Sequence, residues 1–167
     1  MDVEVDVRQA QPRTGRRRSF ETGRLVAGPV EHGDERGRAL GFPTANLAID
    51  DPGVRDGVWA ATVELEDGRL VPSCVSIGRR PTFYARDGVR LLEAYLLDFS
   101  GDLYGRQLRV WLDHRLRLQK RFASVESLCA QMQSDVDDTR RWAATAPWFV
   151  VRSPGWRRGH TSTRGGS

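Results

Sequence analysis

Two small polar residues in the segment "GFPTANL", Thr44 and Asn46, are of types that can bind a hard cation. Pro43 fixes its own φ and drives Phe42 toward extended backbone, which favours a strand over a helix. Residues i and i+2 of a strand project from one face, so the Thr44 hydroxyl and the Asn46 amide oxygen would point the same way. Such a pair can ligate Mg²⁺. Thr and Asn beside Gly and Pro are also ordinary turn residues, and the pair alone favours a turn.

A glycine-rich stretch, "GPVEHGDERGRALGFPT", leads directly into this pair. Its glycines let backbone N–H groups turn toward a ligand and allow a phosphate group to approach closely. By itself such a stretch is most often only a flexible turn. Because it ends at Thr44 and Asn46, it would place phosphate donors beside the candidate magnesium ligands.

Glu93 interrupts an apolar row. In "RLLEAYLLDF" an extended backbone places it on the same face as Leu91, Tyr95 and Leu97. At the rim of a sheet its carboxylate would simply reach water, which is the usual position of a charged side chain. If the face instead lines a pocket, Glu93 could act as a general base for a substrate hydroxyl.

The segments that must position these residues have apolar residues at a period of two. In "LRVWLDHRLRL" one side of a strand is apolar and consists of Leu108, Val110, Leu112, Leu116 and Leu118. Further strands are predicted in "GVWAATVEL", "VPSCVSIG" and "LLEAYLLDF", each bounded by turn residues. Five or six short strands with no helical pattern between them predict a small antiparallel barrel.

One helix is predicted after the strands. Ser124 is a favourable N-cap, and apolar residues then recur at helical spacing: Val125, Leu128, Met132, Val136 and Ala143. The stripe needs a partner, so the helix should pack across the barrel. Met132 is expected in the core and not in contact with a cofactor.

The net charge of +4 comes from the two ends of the chain. The stretches 1–22 and 145–167 hold nine arginines and four acids, which leaves 17 basic and 18 acidic residues between them. A protein that binds nucleic acid would concentrate its basic residues on a folded face. The charge distribution therefore argues against a nucleic-acid partner.

Several other classes of site and location are disfavoured. Cys74 and Cys129 form no CxxC motif, which suits a reducing compartment. No segment has the composition of a signal peptide or the length of a membrane span, so we expect a cytoplasmic protein without membrane contact. Lys120 is the single lysine and follows no glycine-rich GxxxxGK[ST] motif, which excludes that phosphate-binding loop.

Five segments together resemble, in order and spacing, the riboflavin kinase (flavokinase) domain: "GDERGRALGFPTANL", "GVWA", "VSIGRRPTF", "LEAYLLDFSGDLYG" and "FASVESLCAQMQSDVDDTRR". The resemblance covers about residues 24–142. It implies an all-β fold, a six-stranded antiparallel Greek-key β-barrel with a C-terminal helix, which agrees with the strand pattern. It also implies transfer of the ATP γ-phosphoryl group to the riboflavin 5′-hydroxyl, with Mg²⁺ as cofactor and FMN and ADP as products.

The resemblance also implies roles for individual residues by motif position. It places Thr44 and Asn46 on magnesium and makes Glu93 the general base. The residues implied beside ATP are Gly33, Arg38, Thr44, Leu96, Asp98 and Tyr104. Those implied on the flavin side are Arg117, Lys120 and Phe122. Many relatives follow the position of Arg117 with Pro-Glu, whereas this chain has Leu118 and Gln119.

The expected organisation is one riboflavin kinase domain over residues 23–146, with flexible tails at 1–22 and 147–167, acting as a monomer. Many bacterial relatives also carry an N-terminal adenylyltransferase domain that converts FMN to FAD. The residues before the match are too few for such a domain, so the product is expected to stop at FMN. An alternative is a catalytically weakened flavin-binding or regulatory module on the same barrel.

Overall fold

Strands dominate the part of the chain that the computed structural model describes, which is residues 24–33, 36–82 and 85–146. The predicted flexible tails lie outside these residues. The elements in chain order are β1 (Arg24–Pro29), α1 (Arg36–Ala39), β2 (Ala45–Ala48), β3 (Gly57–Glu64), β4 (Leu70–Thr82), β5 (Ala85–Leu96), β6 (Gln107–Arg117) and α2 (Val125–Thr145). The short helix α1 lies in the glycine-rich stretch and was not predicted.

The strands form one antiparallel sheet in the order β1-β6-β3-β4-β5-β2. Strands β3 to β6 lie side by side as β6-β3-β4-β5, the arrangement that defines a Greek key. The two outer strands approach each other where the Glu31 N–H donates to the Asn46 carbonyl at 2.8 Å. The sheet thus curls into a nearly closed barrel, which confirms the predicted fold class.

The barrel interior is filled by the apolar residues of the period-two pattern. Leu47, Val63, Ile77, Leu92 and Val110 come from five different strands and are fully buried. Each such side chain contributes roughly 1.5–3 kcal/mol when it leaves water. This packing fixes the strand register, because a shift of one residue would turn the apolar face outward.

Strand β6 follows its predicted alternation only in its first half. Leu108, Val110 and Leu112 are buried. Its pairing with β3 then shifts register in two places, and each shift adds an unpaired residue to β6. The predicted alternation through Leu118 is therefore wrong, and Leu118 lies beyond the strand with 67% of its surface exposed.

The predicted helix is present and begins after Ser124. The Ser124 hydroxyl accepts a hydrogen bond from the Ser127 N–H, and the Ser127 hydroxyl accepts one from the Ser124 N–H, each at 3.2 Å. Helix α2 packs against β3 and β4. Val136 and Ala143 are buried as predicted, whereas Val125 in the first turn is 55% exposed. Within the described ranges, neither helix is long and apolar enough to cross a membrane.

Arg90 on β5 holds the loop between β2 and β3. Its guanidinium donates to the Asp51 carbonyl at 2.8 Å, to the Val54 carbonyl, and to Asp56 Oδ1 at 2.8 Å. Because the side chain is only 13% exposed, solvent cannot fully replace these bonds.

We expect Arg90→Gln to lower the free energy of unfolding by about 2 kcal/mol, since it leaves the part-buried Val54 carbonyl without its donor and removes two further bonds to the same loop. Urea unfolding measures this change. Arg69→Gln is the matched control, because the Arg69 side chain is 65% exposed and pairs with Asp67 at the surface. The control should change stability by less than about 0.5 kcal/mol. Equal effects of the two substitutions would contradict the role of Arg90.

Candidate functional site

Two cavities lie side by side and share Thr44 in their walls. Cavity A has a volume of about 350 Å³ and lies between the start of β2 and the loop of residues 99–104. Cavity B has a volume of about 220 Å³ and lies between the barrel and helix α2. Thr44 directly precedes β2. This candidate metal ligand therefore lies at the boundary of the two cavities.

Cavity A brings together four of the residues predicted beside ATP: Arg38, Thr44, Leu96 and Tyr104. Tyr104 lies in a turn in which Asp102 Oδ1 accepts its N–H at 3.0 Å. Its ring stacks on His32, with ring centroids 3.9 Å apart. The cavity thus has a cationic side chain at one position and apolar and aromatic surface at others.

Asp98, also predicted beside ATP, does not line cavity A. Its carboxylate accepts two hydrogen bonds from the Arg140 guanidinium of α2, at 2.7 and 2.8 Å. Asp98 has a left-handed backbone with φ of 54°, a conformation that Asp tolerates better than most residues. This bidentate pair links the end of β5 to the helix.

Asn46 and Glu93 are direct partners on neighbouring strands, and Glu93 is in turn the partner of Ser76 on β4. Cross-strand partners project from the same face of a sheet, so these three side chains form one row. Asn46 is only 6% exposed. Its Oδ1 atom is buried without a hydrogen-bond partner among the described residues, a rare condition that calls for an explanation.

Gly33 lies against this amide. A Cβ atom built on Gly33 would lie 2.1 Å from Asn46 Nδ2 and 2.8 Å from Asn46 Cγ, distances that real contacts do not reach. Any side chain at position 33 would therefore displace Asn46. The predicted link between the glycine-rich stretch and the Thr44–Asn46 pair is thus a direct contact, although Gly33 does not line cavity A.

The donor set fits a hard divalent cation. Thr44 and Asn46 offer neutral oxygens, which suit Mg²⁺ when water and phosphate complete the coordination. The orphaned Asn46 Oδ1 is the atom in this structure that a cation would satisfy. Within the described ranges, this site included, no group of three or more His, Cys, Asp or Glu side chains could hold a metal ion.

Cavity B contains Glu93 and two of the residues predicted on the flavin side, Arg117 and Phe122. Lys120 does not line it. The Lys120 ammonium donates to Gln131 Oε1 of α2 and lies 5.2 Å from the centre of the Phe122 ring. Helix α2 supplies part of the wall through Met132, which was expected to be a core residue.

An ion pair in the wall of cavity B was not predicted. Arg117 Nε donates to Asp135 Oδ1 at 2.9 Å, and Arg117 Nη2 donates to Asp135 Oδ2 at 2.7 Å. Asp135 is only 3% exposed. The sequence held a signal for it, because Asp135 lies seven residues after Leu128 and three after Met132, on the apolar face of the helix.

Cys74 also lines cavity B. Burial raises the pKa of its thiol from 9.0 to about 11, although a hydrogen bond with Thr139 acts in the opposite direction. The neutral thiol is therefore the dominant form near neutral pH.

In a Cys129→Ser variant, Cys74 should react with iodoacetamide roughly hundredfold more slowly at pH 8 than in the same chain unfolded in guanidinium, because only the thiolate attacks. Since the pKa is raised, the folded-state rate should keep rising with pH up to about 11. Mass spectrometry of timed samples measures it. Equal rates in the folded and unfolded chains would contradict the burial of Cys74.

Comparison with known proteins identifies relatives over this same region. The family model described as "Flavokinase: Riboflavin kinase" matches residues 23–143. A bifunctional riboflavin kinase/FMN adenylyltransferase from Pseudomonas fluorescens is 44% identical over 120 residues, which are 71% of this chain and 38% of that protein. The protein of the same description from Escherichia coli K12 is 42% identical over 112 residues, covering 66% and 35% of the two chains. The chain thus spans little more than a third of these relatives.

Solved structures show a similar fold. A protein from Streptococcus pneumoniae described as a macrolide-efflux protein matches with a TM-score of 0.62 and 37% identity over 72% of this chain and 39% of that one. Riboflavin kinase from Trypanosoma brucei matches with a TM-score of 0.55 over 84% of this chain and 92% of that one, and at 23% identity this likeness concerns the fold alone. Since the family model covers most of the sequence, the chain belongs to the riboflavin kinase (flavokinase) family.

Proposed function

We propose that this protein is a riboflavin kinase, which transfers the γ-phosphoryl group of ATP to the riboflavin 5′-hydroxyl and gives FMN and ADP. The observation that carries the proposal is the pair of cavities that share Thr44, with Glu93 in the wall of one of them. Phosphoryl transfer depends mainly on alignment of donor and acceptor and on stabilisation of charge. Two adjoining cavities can hold ATP and riboflavin with the phosphoryl donor aligned to the acceptor hydroxyl.

Cavity A is the proposed ATP site. Arg38 would interact with phosphate oxygens, while Leu96 and Tyr104 offer apolar and aromatic surface to the rest of the nucleotide. Thr44 and Asn46 would hold Mg²⁺, consistent with the buried Asn46 Oδ1 that has no hydrogen-bond partner within the described ranges. When bound, the ion supplies neutralisation of the phosphate charge.

Cavity B is the proposed riboflavin site. Its wall is largely apolar and includes the aromatic rings of Phe42, Tyr95 and Phe122, which suit a flat ring system. Phe42 and Tyr95 pack edge to face, with ring centroids 5.6 Å apart. Glu93 would accept the proton of the 5′-hydroxyl as its oxygen attacks the γ-phosphorus.

The same residues favour an enzyme over the alternative of a flavin-binding or regulatory module. A module that only bound flavin would need the wall of cavity B. It would have no use for Glu93, or for a buried Asn46 oxygen in the neighbouring barrel strand that none of the described residues bonds. We further propose that the protein acts as a monomer in the cytoplasm, without a nucleic-acid partner. The free thiols of Cys74 and Cys129 support a reducing compartment.

The direct test is incubation of the protein with riboflavin, ATP and Mg²⁺, followed by chromatographic separation of the flavins. FMN should accumulate with time and enzyme concentration. Lumiflavin, which has the same ring system but no 5′-hydroxyl, is the matched control and should remain unchanged. Binding of riboflavin without FMN formation would favour the flavin-binding module.

We expect Gly33→Ala to raise the KM for Mg-ATP about 10- to 100-fold, because the new methyl group displaces Asn46 from its position. Gly28→Ala is the matched control, since a Cβ there would meet nothing nearer than Leu47 Cδ2 at 3.9 Å. Steady-state kinetics and thermal unfolding of both variants make the comparison. An unchanged KM for Mg-ATP in Gly33→Ala would contradict the link between Gly33 and the nucleotide site.

A further inference from the structure

Stability alone does not explain the ion pair of Arg117 and Asp135 between the barrel and helix α2. Replacing a buried ion pair with well-packed apolar residues is often neutral or stabilising, because removing two charges from water is costly. The neighbouring residue Val136 shows that this face of α2 packs against the barrel with apolar residues as well. The pair lies in the wall of cavity B, which suggests a role toward the ligand.

Asp135 and the Leu118 carbonyl hold the Arg117 guanidinium in place. Two guanidinium nitrogens donate to the Asp135 carboxylate, and a third, Nη1, donates to the Leu118 carbonyl at 3.0 Å, so three of the five N–H groups have these partners. Gln131 Nε2 adds a further hydrogen bond to Asp135 Oδ1 at 2.9 Å, while Gln131 Oε1 accepts from Lys120. The positive charge of Arg117 is thus balanced by the carboxylate it contacts.

The charge balance of cavity B follows from this arrangement. Among the described residues that line it, Glu93, Arg117 and Asp135 are charged and the others are neutral. Two carboxylates and one guanidinium give a formal charge of −1. A neutral alcohol enters such a cavity without electrostatic cost, whereas a phosphate dianion is repelled.

We propose that Asp135 is a specificity-determining residue that balances the charge of Arg117, so that cavity B favours the neutral alcohol riboflavin over its phosphorylated product. This inference rests on the proposed function, because it takes cavity B as the flavin site. Its consequence is weak product inhibition. Without Asp135, the unbalanced Arg117 would attract the phosphate of FMN.

The test compares the dissociation constants of riboflavin and FMN by flavin fluorescence, without nucleotide or Mg²⁺. In Asp135→Asn, which keeps the shape of the side chain, the ratio of the two constants should shift toward FMN by on the order of tenfold, the effect of one unit charge on a nearby dianion. FMN should also become a stronger inhibitor of turnover. A purely structural role would weaken both ligands together and leave the ratio unchanged.

Asp137→Asn is the matched control. Asp137 lies on the same helix, is exposed and accepts a hydrogen bond from Gln133 Nε2, so this variant changes the net charge of the protein equally at a residue that does not line cavity B. Its ratio should equal that of the parent. An equal shift in both variants, or no shift in Asp135→Asn, would overturn the inference.

A double variant, Arg117→Gln with Asp135→Asn, covers the case in which Asp135→Asn fails to fold. The double variant removes both charges of the ion pair, so the cavity lining keeps the formal charge of −1 that it has in the parent. The ratio of the riboflavin and FMN dissociation constants should therefore stay close to that of the parent. A selective loss of FMN affinity in the double variant would mean that Arg117 already attracts phosphate in the parent, and would overturn the inference. A parent protein that binds neither flavin would overturn the proposed function and this inference with it.

Discussion

Replacement of Glu93 with Gln is expected to lower kcat for FMN formation by about 10²- to 10⁴-fold, the usual contribution of a positioned general base. The amide keeps the size of the side chain in the row formed with Asn46 and Ser76, but it cannot accept the proton of the 5′-hydroxyl. Affinity for riboflavin and Mg-ATP should stay within about threefold, because the base acts mainly in the transition state. Single-turnover kinetics beside equilibrium binding measure both quantities.

The matched control for this prediction is Glu64→Gln. Glu64 also lies on a barrel strand, β3, but it pairs with Arg109 at 3.2 Å and lines neither cavity A nor cavity B. Its kcat should equal that of the parent. If Glu93→Gln retained a kcat within about threefold of the parent, Glu93 would lose its role as the base.

Replacement of Asn46 with Leu is expected to lower kcat/KM for Mg-ATP by at least about 10²-fold, since it removes a proposed ligand of the cation. The stability of the ligand-free protein should change by less than about 1 kcal/mol, because the lost Oδ1 has no hydrogen-bond partner in the part of the chain that the structure describes. Loss of activity without loss of stability is the signature of a functional and not a structural residue. Magnesium titrations of nucleotide binding and urea unfolding of the same sample measure the two effects.

Asn46→Asp provides the comparison for the same position. It keeps an oxygen in place of Oδ1 and adds a buried charge, which should destabilise the ligand-free protein. Mg²⁺ with nucleotide should then restore its stability more than it raises that of the parent. A large loss of stability in Asn46→Leu with an unchanged magnesium dependence would instead give Asn46 a structural role within β2.

Much of the fold could be predicted because it depends on local pattern. The alternation of Leu108, Val110 and Leu112 and the N-cap at Ser124 each follow from a few neighbouring residues, and the structure bears them out. The second half of β6 could not be predicted, since its register shifts arise from pairing with β3, a distant segment. Leu118 lies one residue beyond the end of β6 and is exposed.

The candidate site divides in the same way. The position of Asn46 opposite Glu93 requires only that β2 pair with β5. The apolar face of α2 marks Asp135 as a buried position, but the choice of Arg117 as its partner depends on where the helix packs against the barrel, which no local pattern encodes. The ion pair of Asp98 with Arg140 depends on the same packing. Asp98, which was predicted to contact the nucleotide, does not line cavity A.

The most direct measurement of the central claim follows the γ-phosphoryl group itself. ATP labelled at the γ-phosphate is incubated with riboflavin, Mg²⁺ and the protein, and the label is traced to flavin, ATP or free phosphate while ADP is measured in the same samples. If cavities A and B hold donor and acceptor on either side of Thr44, the label should appear in FMN in equal amount to the ADP formed. Label that appears only as free phosphate, or that stays in ATP while riboflavin is bound, would contradict the account.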